Sequence, residues 1–181
     1  MIYEIRTYDL RPGSVTEVEK RFAESLPGRL SHSRMAGFWH TEIGPLNQIV
    51  HIWPYDDLNH RAEVREKATS GQWPPDIAEF VVNMQSEIYV PAAFMTPMGE
   101  RDIGPLYEMR TYTYAIGAIP RVLEAWGAAI EERVKLSPLA GCWRSELGGL
   151  NRFVHLWAYK SLEERGRVRA EALEKGVWPP R

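Results

Sequence analysis

The chain has 181 residues, 44% of them apolar, with a formal charge of -2 and a pI of about 6.2. That balance excludes the basic footprint of a nucleic-acid or anionic-membrane binder, and the length allows one domain or two small ones. The single cysteine, Cys142, excludes an internal disulfide and a thiolate metal cluster. The first residues lack the basic and long apolar regions of a signal peptide, and no long apolar run predicts a membrane span. The expectation is a soluble cytoplasmic protein.

Residues 2–8 alternate, Tyr3, Ile5 and Thr7 on one side and Glu4, Arg6 and Tyr8 on the other, which predicts a strand. Val15, Val18, Phe22, Leu26 and Leu30 then follow helical spacing, with Pro27 predicted to kink or break the helix. Gly37 opens a second strand through Ile43. The turn Gly44-Pro45-Leu46 leads into a third, Asn47 to Tyr55, giving a hairpin. Asp56 or Asp57 caps a helix carrying Arg61 and Arg65 on one face. After Gly71-Gln72-Trp73-Pro74-Pro75, a short helix is predicted over Asp76 to Met84 and a last strand over Glu87 to Val90. The order βαββαβ is the ferredoxin-like arrangement, an α+β fold.

The same pattern returns 104 residues later. Tyr3-Glu4-Ile5-Arg6-Thr7-Tyr8 matches Tyr107-Glu108-Met109-Arg110-Thr111-Tyr112, and Asn47-x-x-x-His51-x-Trp53-x-Tyr55 matches Asn151-x-x-x-His155-x-Trp157-x-Tyr159. Positions 3–70 and 107–174 share 25 identities in 68, too many at one offset for coincidence. The repeat is far longer than a solenoid unit and reads as a duplicated domain. Residues 1–95 form the first unit, 96–106 a linker, and 107–181 a second unit without counterparts of the last short helix and strand.

The Tyr-Glu-Ile-Arg-Thr-Tyr opening, the Gly-x-Trp strand, the Asn-x-x-x-His-x-Trp-x-Tyr strand and the trailing Trp-Pro-Pro resemble the NIPSNAP family, twice over and across nearly the whole chain. The resemblance implies a dimeric α/β-barrel, which tandem units could build within one chain, or else a homodimer. The family's biochemical activity is poorly defined. The broader superfamily includes cofactor-free monooxygenases and haem-handling enzymes, a fold-level analogy only.

Content distinguishes the two faces of the sheet. Compact aliphatic residues suit the helices, which assigns Glu4, Arg6, Tyr8, Asn47, His51, Trp53 and Tyr55 to the barrel interior, with Glu42 from the second strand. Their counterparts are Glu108, Arg110, Tyr112, Asn151, His155, Trp157, Tyr159 and Glu146. Charges buried there need partners, so the set forms either a structural network or a polar pocket for a small molecule. In a pocket, His51 or His155 near carboxylates could be tuned for proton transfer near neutral pH, or could ligate haem. No metal-ligand spacing, phosphate-binding Gly loop or nucleophile elbow is present, and no cofactor is expected. Arg61 and Arg65, repeated as Arg165 and Arg169, read as a solvated helix face or as partners of Asp57, Glu87 or the edge of the cavity. Trp73 and Trp178 read as plugs between helices and sheet or as anchors at an oligomer interface. Cys142, matching Phe38, reads as an inert core thiol. The expected reading is a small-molecule-binding protein, with an interaction module as the alternative.

Overall fold

The computed structural model describes residues 1–69, 71–99 and 101–180. Glu100 of the expected linker and Arg181 of the expected second unit lie outside the described residues. The chain divides into two compact units, Met1–Tyr89 and Val90–Arg181. In the first, β1 (Ile2–Leu10), α1 (Val15–Leu30), β2 (Gly37–His40), β3 (Gln48–Tyr55), α2 (Leu58–Ala68) and β4 (Val81–Pro91) follow one another in ferredoxin-like order. β1 pairs antiparallel with β3 and β4, and β3 with β2, giving the strand order β2-β3-β1-β4. In the second, β5 (Leu106–Thr113), α3 (Ile119–Val134), β6 (Leu139–Leu147), β7 (Arg152–Tyr159) and α4 (Leu162–Glu174) match the first five elements, with the order β6-β7-β5. The registers agree as well: Arg6 lies opposite His51, and Arg110 opposite His155. No helix among the described residues is long and apolar enough to cross a membrane.

Three local expectations are corrected. The predicted helix over Asp76 to Met84 is instead a turn followed by β4, whose residues from Val81 onward pair with β1. A continuous ladder of backbone bonds outweighs a weak helical pattern in a segment holding two adjacent valines. Pro27 neither breaks nor ends α1, which runs on to Leu30. In the last turn it removes one backbone donor, and the bonds of Arg29 to Ser33 and Tyr55 hold the helix end. β2 stops at His40 rather than Ile43, where the Thr41 hydroxyl accepts the Gln48 N–H in place of a backbone carbonyl.

The apolar stripe of α1 also ends differently from its prediction. Leu30 is exposed, and Arg29 is buried in the row of Val18 and Phe22. Eleven residues make just over three helical turns at 3.6 per turn, so position 29 lies under position 18 and position 30 does not. α3 repeats this with Trp126 and Ile130 leading to buried Arg133, while Val134 is exposed.

Two sequence signatures find their causes in the backbone. Asn47 and Asn151 both adopt φ 55, in the left-handed region where asparagine is tolerated best after glycine. In that conformation their carbonyls accept the N–H groups of Leu10 and Tyr114, at 2.8 and 2.9 Å, tying the turn to the end of the neighbouring strand. In the Gly-x-Trp strands, the Trp39 and Trp143 rings fold back over Gly37 and Gly141. A Cβ on either glycine would lie 1.9 Å from its ring.

The segment after β4 belongs to the second unit. Ala92, Met95 and Met98 are buried, the Ala92 N–H donates to the Cys142 carbonyl, and the Cys142 N–H donates to Met95 Sδ. Burial pushes the Cys142 thiol up, which fits a packed, unreactive side chain.

Candidate functional site

The polar face of each unit's strands turns toward that unit's helices, not toward the side the sequence assigned it. In the first unit Arg29 of α1 donates to the Tyr55 hydroxyl at 2.8 Å. Arg61 of α2 reaches Glu4 through Nε at 3.1 Å and Nη2 at 2.8 Å. Phe22 of α1 stands against the His51 and Tyr8 rings. Tyr3, Ile5, Val50 and Ile52 occupy the other face and are buried too. With both faces buried, aliphatic content could not tell them apart; the arginines on the helices decide, since they supply charges that the strand carboxylates need.

Between sheet and helices lies a cavity of about 440 Å³. Glu4, Arg6 and Tyr8 of β1, Trp53 and Tyr55 of β3, Phe22 and Arg29 of α1 and Arg65 of α2 line it, and Trp73 to Pro75 with Ile77 close it. The second unit holds an equivalent cavity of about 500 Å³, lined by Arg110, Tyr112, Trp126, Arg133, His155, Trp157, Tyr159 and Arg169 and closed by Trp178 to Pro180. Trp73 meets Phe22 and Trp53 edge-on, each at 5.6 Å, and Trp178 meets Trp126 and Trp157 at 4.4 and 5.8 Å. The two tryptophans therefore act as plugs within their own units.

Glu4 is fully buried. Burial alone would raise its pKa, but hydrogen bonds from Arg61 and Ser86 and the charge of Arg6 hold the carboxyl at about 2. Arg61 and Arg65 are thus partners of this acid, at 2.8 and 3.9 Å, and Arg165 repeats the Arg61 contact on Glu108 at 2.5 Å.

The histidines do not match the proton-transfer expectation. The Trp53 Nε1–H donates to His51 Nδ1 at 2.6 Å, and Trp157 does the same to His155 at 2.9 Å. Burial, then the charge of Arg6, lowers the His51 pKa to about 3; burial, then Arg110 and Arg133, does the same for His155. Both rings are neutral near pH 7 and carry their proton on Nε2, because an indole N–H can only donate. That arrangement leaves neither ring a free lone pair for haem iron, so the residues do not fit an axial-ligand role. His51 also lies off the cavity wall, packed against Tyr8, Phe22 and Phe38.

Five other expected site residues stand apart. Glu42 and Glu146 are exposed and pair with His40 and Arg144. Asn47 and Asn151 serve the turns described above and line neither cavity. Glu108 pairs with Arg165 but is not on the cavity wall.

The NIPSNAP family model matches residues 3–96 and 107–181. The chain belongs to the NIPSNAP family. It is similar to Protein NipSnap homolog 3A of Homo sapiens, 30% identical over 186 residues covering 96% of this chain and 73% of that protein. Protein NipSnap homolog of Dictyostelium discoideum is 32% identical over 181 residues, covering 98% and 78%. Among solved structures, an uncharacterized NIPSNAP domain protein from Burkholderia xenovorans aligns with a TM-score of 0.51 at 35% identity, covering 54% of this chain and 100% of that one. A putative monooxygenase from Fusobacterium nucleatum aligns with a TM-score of 0.66 over 97% of this chain and 83% of its own, at 8% identity, a likeness of fold alone.

The NIPSNAP cavities contain one residue that sequence reasoning passed over. Arg29 and Arg133 are each 2% exposed. Their guanidinium carbons lie 4.2 and 4.0 Å from the Trp53 and Trp157 ring centroids, and they donate to Ser33 or Ser137 and to Tyr55 or Tyr159. A signal was present: Arg, Ser, Trp and Tyr all recur at the offset of 104.

Proposed function

We propose that this NIPSNAP chain binds a small organic molecule in the cavity between sheet and helices of each unit. The observation carrying this reading is the arginine stacked on tryptophan and tied to a tyrosine hydroxyl, which recurs at the wall of both cavities while the outer helix positions differ. Volumes of about 440 and 500 Å³ lie within the range of small-molecule sites. The chemistry on offer is hydrogen-bond donation beside aromatic walls. The neutral imidazoles support binding and orientation rather than proton transfer near pH 7.

Native mass spectrometry of gently purified protein tests the proposal. The expected result is bound mass that falls when each cavity is filled from its own wall, by Ala78→Phe in the first unit and Ala125→Phe in the second. Bare chains, together with no thermal shift by any member of a fragment library, would overturn it.

A second reading, self-association, rests on the hairpin tips, where Ile43 and Leu46 in one unit and Leu147 and Leu150 in the other are exposed. Sedimentation velocity of Leu46→Ser/Leu150→Ser tests it: an unchanged mass, or a wild-type monomer, removes the reading.

A further inference from the structure

We infer that the second unit's cavity takes an organic carboxylate with a flat apolar body, and that the first unit's cavity does not. This rests on the proposed small-molecule binding and assigns a ligand class to one of the two sites.

Two residues on the wall of the second cavity carry hydrogen-bond donors without a partner. Arg133 Nε and His155 Nε2 are buried and have no partner. Because Trp157 occupies Nδ1, the proton of His155 sits on Nε2, so both unpaired atoms are donors. Arg169 and Arg110 add two further cations, and among the described residues no acidic side chain lines the space. A buried donor left unpaired costs free energy, and three guanidinium groups around one cavity repel each other; an anion relieves both. The planar fork of arginine suits a carboxylate. The rest of the wall, Val122, Ala125, Trp126, Leu173 and Trp178, is apolar and fits a flat hydrocarbon body.

The first cavity already contains its anion. Glu4 lines it and takes Arg6 at 2.8 Å, Arg61 at 2.8 Å and Ser86 at 2.6 Å. In the second unit the equivalent acid, Glu108, is off the wall and pairs with Arg165, and Arg110 stands 3.8 Å from it. Arg110 therefore keeps hydrogen-bonding capacity that Arg6 has spent. His51 Nε2 is also unpaired, but it lies away from the first cavity's wall.

Calorimetric titration of the whole chain with 2-naphthoate and with its neutral isostere 2-naphthamide tests the assignment. The expected result is one naphthoate per chain, with naphthamide about tenfold weaker, as expected when a charge-assisted hydrogen bond is lost. Arg169→Gln, at an exposed position that folding tolerates, weakens naphthoate about fivefold or more and naphthamide by less, because the neutral amide loses no charge-assisted bond. Arg144→Gln, at a half-buried arginine off the cavity, controls for net charge and changes neither. Equal affinity for the two probes, or indifference of naphthoate to Arg169→Gln, overturns the carboxylate assignment while cavity binding stands. Two naphthoates per chain overturn the distinction between units. If neither probe binds, the carboxylate assignment falls, and the fragment and mass-spectrometric measurements decide separately whether the cavities bind anything.

Discussion

In each unit a tryptophan sets the tautomer of the histidine two residues before it: the Trp53 indole donates to His51 Nδ1 at 2.6 Å, and Trp157 to His155 at 2.9 Å. The strand pleat puts residues i and i+2 on one face, so the pair needs no other element to align it. With Nδ1 occupied and the ring buried, each histidine folds neutral, with a pKa of about 3.

Stability should therefore fall on mild acidification. The folded pKa lies below the unfolded value of about 6.5, so the unfolded chain takes up the proton first. The contribution is full above pH 6.5 and is lost as pH falls toward 3, at about 1.4 kcal/mol per pH unit for each histidine. Glu4, held at about 2, adds to the loss only below about 4.5. His40, whose pKa Glu19 raises, acts in the opposite sense. Denaturant midpoints between pH 6.5 and 5 check this: His51→Gln/His155→Gln should show a shallower decline than wild type, and the difference between the two proteins removes the His40 contribution.

The Glu4–Arg61 pair should be strongly coupled. Arg61→Met leaves a buried carboxylate short of a partner, at a cost of about 3–5 kcal/mol. Adding Glu4→Gln should recover a large part of that loss. Arg165→Met should cost less, because Glu108 is 18% exposed where Glu4 is 0%. Urea unfolding of the two singles and the double closes the cycle, and additive losses would contradict the pairing.

Asn47→Ala should destabilise by about 1–2 kcal/mol, the cost of the left-handed region for a residue with a Cβ, and Asn47→Gly should be tolerated. Ligand binding should be untouched by either, since the side chain lines no cavity. A loss of binding with stability intact would return Asn47 to the site.

Gly141→Ala should be more damaging than Gly37→Ala. Both put a methyl group against a tryptophan ring, but Trp143 is fully buried and has nowhere to swing, whereas Trp39 is only partly buried. Overpacking of this kind costs about 1–3 kcal/mol. Thermal midpoints of the two variants give the order directly.

Much of this protein follows from its residues in sequence. Alternation and helical spacing predicted the elements of the first unit up to Trp73, and identities at one offset predicted the matching elements of the second, because both signals depend only on local periodicity. The Tyr-Glu-x-Arg-Thr-Tyr and Asn-x-x-x-His-x-Trp-x-Tyr strands marked the face that carries Glu4, Arg6, His51 and Trp53. Which way that face turns was not local information. A strand buried on both sides has no solvent-facing set of residues, so only the packing of α1 and α2 could direct it toward Arg29 and Arg61. Tertiary structure likewise separated Asn47, kept for its backbone conformation, and Glu42, exposed at the hairpin, from the cavity residues they accompany in sequence. It also brought Arg29 inside, through a helical phase that puts position 29 under position 18 and a tryptophan ring that offers a guanidinium a surface to lie on.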